Sequence, residues 1–270
     1  MENQKNQLDD LLYLMQRLRD PQTGCPWDLR QTFQTIVPHT IEEVYEVVDA
    51  IEREDYRHLK EELGDLLFQI VFYSQLGKEQ GLFEFADIVA VLVQKLVVRH
   101  PHVFPDGTLN SKRDAEATPD EQQIKKTWEL IKSSERQSKG AESILADIPE
   151  SLPALTRAVK LQKRAASHGF DWPSIDGVVD KLDEETEEFK VALKEGDQAA
   201  IEDELGDLMF TMANLCRHLG LDAETVLRKS GRKFEHRFQF VENSVRATGK
   251  TLSETTLDEL DRLWDQAKQP

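Results

Sequence analysis

The chain contains one of its own segments twice. Residues 42–68 and 184–210 align without a gap at an offset of 142 (184 − 42). Both copies carry an E-E-x-x-E pattern that is followed by E-L-G-D. Self-similarity over this length indicates that one structural unit is used twice, each copy with its own core. A fold with a single continuous core is therefore not expected.

The sequence around the two copies suggests where the domains divide. We predict a first domain at residues 1–133, a linker at 134–150 and a second domain at 151–270, because the stretch between the copies is polar and ends near two prolines. A second polar stretch, residues 106–121, is predicted to be a mobile loop within the first domain.

Apolar residues recur at helical spacing throughout both copies. The first such series consists of Leu8, Leu11, Leu12, Met15 and Leu18. Spacings of three and four residues indicate amphipathic helices, and the chain holds only 13 glycines and 10 prolines to interrupt them. We predict an all-α protein, a tandem repeat of two bundles of four or five helices each.

Charge and cysteine content exclude several classes of protein. With 34 Lys and Arg against 51 Asp and Glu, the net charge is −17, so we expect neither a nucleic-acid partner nor binding to an anionic membrane. The two cysteines give no disulfide framework and no zinc spacing. The first residues lack the apolar core of a signal peptide, and we expect a cytoplasmic protein.

Carboxylates of the second copy share helix faces. Glu185 and Glu188 are spaced to point the same way on one helix, and Glu204 and Asp207 do so on the next. A short connection at Gly196 would make these two helices antiparallel neighbours. Four or five carboxylates, with Glu184 included, are therefore predicted to converge.

The first copy repeats this arrangement. Its corresponding residues are Glu43, Glu46, Glu62 and Asp65. Acidic pairs on helices are usually solvated, and Thr40 with Glu43 also fits a helix capping box. Recurrence of the spacing, and the position of Asp65 and Asp207 inside apolar runs, favour a buried site that needs a cation. All-oxygen ligands select Mg²⁺, with Mn²⁺ as a substitute, and the first copy is a candidate second, weaker site.

A magnesium site in an acidic protein suggests a phosphate-bearing substrate. Lys181 lies one turn before Glu185, and Lys233 and Arg237 form a pair on a later helix, so these three are candidate phosphate contacts. Trp27 and Trp172, which correspond between the copies, are predicted to anchor the cores.

At these residues the sequence resembles the MazG family of nucleoside triphosphate pyrophosphohydrolases, within the all-α NTP pyrophosphatase superfamily. The resemblance rests on EEVYE, EELGD and RHPHVF in the first half and on EETEE, DELGD and KFEHRF in the second. It implies Mg²⁺-dependent hydrolysis of a nucleoside triphosphate between the α- and β-phosphates, which yields a monophosphate and pyrophosphate. It also implies a homodimer, since the family pairs its bundles.

The resemblance also implies roles for individual residues. The implied metal ligands are Glu185, Glu188, Glu204 and Asp207, and the implied substrate contacts are Lys181, Lys233, Arg237 and Trp264. Either Glu184 or Glu185 is the candidate base for the attacking water. Two alternatives remain: a more selective dNTP pyrophosphatase acting on dUTP or dCTP, and a non-catalytic acidic helical scaffold or regulator.

The two copies are predicted to be unequal, with the second as the main catalytic one. After Glu204 and Asp207 the polar face continues through Thr211, Asn214 and His218, which makes Asn214 a candidate substrate contact. The first copy has Gln69, Phe72 and Leu76 at these positions, and His39 in place of Lys181. A histidine that is mostly neutral at pH 7 is the poorer phosphate ligand.

Overall fold

The structure is a computed structural model that describes residues 6–114, 120–138 and 143–269. Within these ranges all regular structure is helical, which confirms the predicted all-α class. The chain divides into two compact units, unit 1 (Met1–Lys132) and unit 2 (Ser133–Pro270). No helix in the described ranges combines the length and the apolar character needed to cross a bilayer.

In its described residues, unit 1 contains five helices and the start of a sixth. They are α1 (Leu8–Leu18), α2 (Pro26–Leu29), α3 (Phe33–Glu52), α4 (Tyr56–Glu79), α5 (Phe85–Arg99) and α6 (Glu121–Ser138). Helices α3 and α4 pack along each other, and α1 packs on α4. The centre of the core is a cluster of fully or almost fully buried apolar side chains: Met15, Ile36, Val71, Phe72 and Leu76.

Helix α3 begins earlier than the capping-box alternative requires. Its N-cap is Thr32, whose hydroxyl accepts a hydrogen bond from the backbone N–H of Thr35. Thr40 and Glu43 therefore both lie inside α3, and Glu43 does not cap a helix start. Capping was the wrong explanation, and the acidic spacing in α3 must have another cause.

Unit 2 follows the same plan. Its helices are α7 (Ala154–Ala166), α8 (Ile175–Glu195), α9 (Gln198–His218), α10 (Ala223–Ala247) and α11 (Leu257–Ala267), with a short 3₁₀ helix at Leu252–Glu254. Helices α8 and α9 pack along each other. Gly196, with a left-handed φ of 72°, ends α8, and the Asp197 carboxylate caps α9, so two residues reverse the chain.

Two predicted connections differ from the structure or fall partly outside it. In the predicted loop, 106–121, residues 106–114 contain turns held by the Asp106 carboxylate, 115–119 lie outside the described residues, and residue 121 already belongs to helix α6. Residues 134–138 of the predicted linker belong to helix α6, and 139–142 again lie outside the described residues.

Candidate active site

Carboxylates from α8 and α9 meet in unit 2. One oxygen each from Glu185, Glu188 and Glu204 lies within 4.8 Å of the other two. Glu185 and Glu188 stand one helical turn apart on α8, and Glu204 faces them from α9. These three residues are called the unit 2 triad below. The sequence predicted this convergence, and the antiparallel packing of the two helices produces it.

Glu185 is the buried member of the unit 2 triad. Its side chain is 4% exposed, and its Oε1 lies 2.6 Å from Lys181 Nζ. Its other oxygen, Oε2, is buried and has no hydrogen-bond partner. Burial of a carboxylate oxygen without a hydrogen-bond donor destabilises the folded protein, so a bound cation or a proton is needed to stabilise this atom.

Lys181 bridges the two glutamates predicted as candidate bases. Its ammonium donates to Glu184 Oε1 at 2.8 Å and contacts Glu185 Oε1 from the same helix. These hydrogen bonds, to Glu184 first and to Glu185 second, raise the pKa of Lys181 above its ordinary value. The lysine is therefore charged at any physiological pH, and it contacts the carboxylate cluster and also lines the neighbouring cavity.

Negative charge accumulates at the unit 2 triad. Burial, followed by the charges of Glu188 and Glu185, raises the pKa of Glu204, and Asp207 adds to the effect. Asp207 itself is exposed, so its position in an apolar run did not predict burial correctly. The buried acid of this site is Glu185, because α8 rather than α9 turns its carboxylate toward the protein interior.

A cavity of about 480 Å³ opens beside the unit 2 triad. We call it the Asn214 cavity. Its lining is Leu145, Leu161, Gln162, Ala165, Phe170, Asp171, Trp172, Lys181, Glu185, Asp207, Phe210, Thr211, Asn214 and Arg217. Its volume falls in the range of small-molecule sites. Thr211 and Asn214 lie on the polar stripe of α9 that the sequence singled out.

The sequence patterns did not identify several of the residues that line this cavity. Trp172 was predicted to be a core anchor, but it is 40% exposed and forms a cavity wall; Trp27, its counterpart, is 46% exposed. Gly177 leaves the space on α8 that the Trp172 ring occupies, since a Cβ there would collide with the ring. Gln162 and Arg217 gave no signal beyond ordinary polar positions on amphipathic helices.

The other predicted substrate contacts lie elsewhere in unit 2. Lys233 and Arg237 are on α10, and Trp264 is on α11. The Arg237 guanidinium lies over the Trp264 ring, 5.9 Å from its centroid, so these two predicted contacts are brought together. None of the three belongs to the described lining of the Asn214 cavity.

Unit 1 holds a corresponding cluster. Carboxylate oxygens of Glu43, Glu46 and Glu62 lie within 4.8 Å of one another, and we call these residues the unit 1 triad. Here Glu62, on α4, is the buried member, and His58 Nε2 lies 3.1 Å from its Oε1. Burial raises the pKa of Glu43, with Asp65 as the next cause. Burial also raises the pKa of Glu62, against the opposing charge of His58.

Apolar side chains occupy two of the unit 1 positions that correspond to the polar stripe of α9. Phe72 and Leu76, the counterparts of Asn214 and His218, are 0% and 2% exposed within the unit 1 core. Gln69 is buried as well; its Nε2 donates to Glu43 Oε1 at 3.4 Å, and its Oε1 is without a partner. A cavity between α1, α4 and the start of α5 has none of the triad carboxylates in its lining.

Both triads suit a hard divalent cation. Their ligand atoms are carboxylate oxygens, burial and then the charges of Glu188 and Glu185 raise the pKa of Glu204, and one buried oxygen of Glu185 has no hydrogen-bond partner. A bound cation would remove the mutual repulsion and satisfy that oxygen. The residues present therefore fit a divalent metal.

Comparison with known proteins places the chain among sequences with the same repeat. The family described as MazG nucleotide pyrophosphohydrolase domain matches twice, at residues 31–104 and 174–241. The two matches contain α3 to α5 of unit 1 and nearly all of α8 to α10 of unit 2. This double match confirms the predicted tandem repeat.

Full-length relatives support the same assignment. The nucleoside triphosphate pyrophosphohydrolase of Escherichia coli K12 is 50% identical over 265 residues, which covers 97% of both chains. The nucleoside triphosphate pyrophosphohydrolase/pyrophosphatase MazG of Thermotoga maritima is 39% identical over 96% of this chain and 95% of its own. The uncharacterized protein YabN of Bacillus subtilis is 37% identical over 95% of this chain and 50% of its own.

Proposed function

The chain belongs to the MazG nucleotide pyrophosphohydrolase family, and on that premise we propose that it hydrolyses nucleoside triphosphates between the α- and β-phosphates. The products are the nucleoside monophosphate and pyrophosphate. The observation that carries the proposal is the unit 2 triad beside the Asn214 cavity, because it combines a cation site with space for a nucleotide.

Mg²⁺ is the cofactor we propose, with Mn²⁺ as a substitute. Glu185, Glu188 and Glu204 would hold it, and Asp207 at the cavity rim would complete the ligand set. When bound, the metal neutralises phosphate charge and makes a bound water more acidic. The equivalent carboxylates of unit 1, Glu43, Glu46, Glu62 and Asp65, are proposed as a second, weaker metal site.

The chain's own residues position the triphosphate and move the proton. Lys181, Lys233 and Arg237 are proposed to bind phosphate oxygens, and Trp264 to contact the nucleotide. Glu184 is our candidate to accept the proton of the attacking water, because its exposed carboxylate contacts Lys181 and is outside the unit 2 triad. Glu185 then acts as a metal ligand.

Unit 2 is proposed to perform the hydrolysis. It combines the triad, Lys181 and a cavity at the same place, whereas unit 1 has a packed core beside its triad. A panel of the eight common NTPs and dNTPs together with dUTP, assayed for pyrophosphate release with Mg²⁺ and with EDTA, tests the function. Release from several nucleotides supports it, and release from dUTP or dCTP alone would instead indicate a selective dNTP pyrophosphatase. A non-catalytic scaffold would release none.

We further propose a cytoplasmic homodimer without a nucleic-acid partner. Leu205, Met209 and Met212, at successive turns of α9, are about half exposed in the single chain, an apolar surface that a second copy would cover. Both cysteines, Cys25 and Cys216, are unpaired, in keeping with a reducing compartment. Light scattering coupled to size exclusion tests the dimer.

A further inference from the structure

The Asn214 cavity contains a buried acceptor with no partner. Gln162, on α7, is 8% exposed, and its Nε2 donates to the backbone carbonyl of Phe210 at 2.8 Å. Because that carbonyl only accepts, the orientation of the amide is fixed. Gln162 Oε1 is thereby held in a buried position without a hydrogen-bond partner, although the side chain lines the cavity.

A buried donor lies on α9 in the same lining. Asn214 is 4% exposed, and its Oδ1 accepts a hydrogen bond from Arg217 Nε at 2.8 Å. Arg217 is in turn held by the Asp171 carboxylate, which its Nη1 contacts at 3.0 Å and which also contacts its Nη2. This chain of contacts turns the Asn214 carbonyl to the arginine and leaves the NH₂ group for the cavity.

The remaining walls of the cavity are mostly apolar. Phe170, Trp172 and Phe210 contribute aromatic surface, and all three are at least 40% exposed, so their rings are open to a ligand. Glu185 and Asp207 mark the end of the cavity at the metal site. A flat ring with both donor and acceptor atoms would satisfy the two amides and stack on the aromatic surface.

We propose that the Asn214 cavity binds the nucleobase of the substrate. Gln162 Oε1 accepts from a base N–H and Asn214 Nδ2 donates to a base acceptor, while Arg217 and Asp171 are positioning residues that fix the Asn214 amide. The inference rests on the proposed function, since it names the part of the nucleotide that this cavity takes. The phosphates are directed to the metal end of the cavity, where Lys181 contacts Glu185, because Arg217, the other cation of the described lining, is bound to Asp171.

Nucleotide binding without turnover tests the two amides. Calorimetric titration of the full chain with AMP, GMP, CMP and UMP in EDTA should show binding of at least one of them. Gln162→Met and Asn214→Leu should weaken that binding by about ten-fold or more, because each leaves a polar atom of the base unpaired. Gln16→Met, at an exposed glutamine of α1, is the matched control and should bind as the wild type does.

Three results would overturn the assignment. The first is no binding of any monophosphate by the wild type, and the second is unchanged affinity in both cavity variants. The third is a loss of affinity in Trp264→Ala with none in Gln162→Met, which would put the base at α11. Pyrophosphate release by the same wild-type preparation is measured separately. Binding without release would refute the proposed function, and release with affinity independent of Gln162 and Asn214 would refute this inference alone.

The positioning role of Arg217 has its own readout. Arg217→Lys keeps a charge for Asp171 but lacks the Nε–H that orients Asn214. We expect the ratio of kcat/KM between the best and worst of the four common NTPs to fall several-fold, with the circular dichroism spectrum and thermal midpoint near those of the wild type. A purely structural arginine would change the midpoint and leave that ratio as it was, which would remove the positioning role.

Discussion

In unit 2 the helix that carries Glu204 continues into a cavity wall at Thr211 and Asn214. In unit 1 the helix that carries Glu62 continues into a packed core that contains Phe72. Both helices carry the same acidic motif in their first half. Three carboxylates on two antiparallel helices are therefore enough to form a cluster that suits a metal ion. A substrate site also needs space, and in unit 1 the fully buried Phe72 stands at the position that corresponds to Asn214, which lines the cavity of unit 2.

The cations beside the two triads differ as well. In unit 2, Lys181 contacts Glu185 at 2.6 Å. In unit 1, the counterpart of Lys181 is His39, which approaches Glu42 at 3.8 Å, while His58 contacts the buried Glu62. Hydrogen bonds to Glu184 and then to Glu185 raise the pKa of Lys181, so unit 2 keeps a permanent positive charge beside its triad, where unit 1 has two imidazole rings.

The largest expected effect concerns stability. Phe72→Ala removes a fully buried ring and should lower the free energy of unfolding of unit 1 by about 3–5 kcal/mol. Asn214→Ala, at the corresponding position, leaves one hydrogen bond of Arg217 unmade and should cost about 1 kcal/mol. Urea denaturation of the full chain, followed by circular dichroism, measures both. Equal losses would mean that position 72 is not a core position.

Removal of one triad carboxylate should separate the two units by activity. Glu185→Gln should reduce kcat by about 10²–10³-fold, the loss that follows removal of one preorganised electrostatic group. Glu43 is the counterpart of Glu185 in unit 1. Glu43→Gln should leave kcat within about two-fold of the wild type, a change far smaller than the loss expected for Glu185→Gln. Pyrophosphate release at saturating nucleotide is the measurement. Comparable damage from both variants would show that the units share the chemistry.

The cations of α10 offer a smaller test. Lys233→Ala and Arg237→Ala should each lower kcat/KM by about 10- to 100-fold, which corresponds to the roughly 1.5–3 kcal/mol of a hydrogen bond to a charged group. Lys95→Ala is the control and should change kcat/KM little, because Lys95 of unit 1 corresponds to Lys233 at an offset of 138 (233 − 95). If Lys233→Ala and Lys95→Ala behave alike, these lysines are surface charges in both units.

Sequence alone could predict the triads but not the cavity. Spacing along one helix fixes which carboxylates share a face, so Glu185, Glu188 and Glu204 were identified correctly as a converging group. Burial of a given acid depends on how each helix is rotated in its bundle, which is why Asp207 is exposed and Glu185 is buried. Gln162 reaches the site from α7 through tertiary packing, and no local pattern marks such a residue.

The smallest expected effect concerns metal binding to unit 1. Its triad matches that of unit 2 in spacing, but its buried member, Glu62, is already contacted by His58 Nε2 at 3.1 Å. A metal ion at unit 1 must compete with that contact, whereas Glu185 of unit 2 is contacted by Lys181 at Oε1 and keeps its buried Oε2 without a hydrogen-bond partner, so the unit 1 triad should bind Mn²⁺ more weakly than the unit 2 triad. Titration of the full chain with Mn²⁺, followed by electron paramagnetic resonance, should show two classes of site, and Glu62→Gln should remove the weaker one.

His58→Ala sharpens this last test. An ion pair with a half-exposed histidine contributes about 0.2–1 kcal/mol, so its removal should tighten the weaker class by at most about five-fold. Arg53→Ala, which removes a cation of the same unit that contacts Asp49 rather than the triad, should leave the affinity unchanged. Equal tightening by both variants would mean that general charge, and not the contact with Glu62, sets the affinity. A single class of Mn²⁺ sites that survives Glu62→Gln would mean that the first copy keeps the acidic spacing without binding a metal.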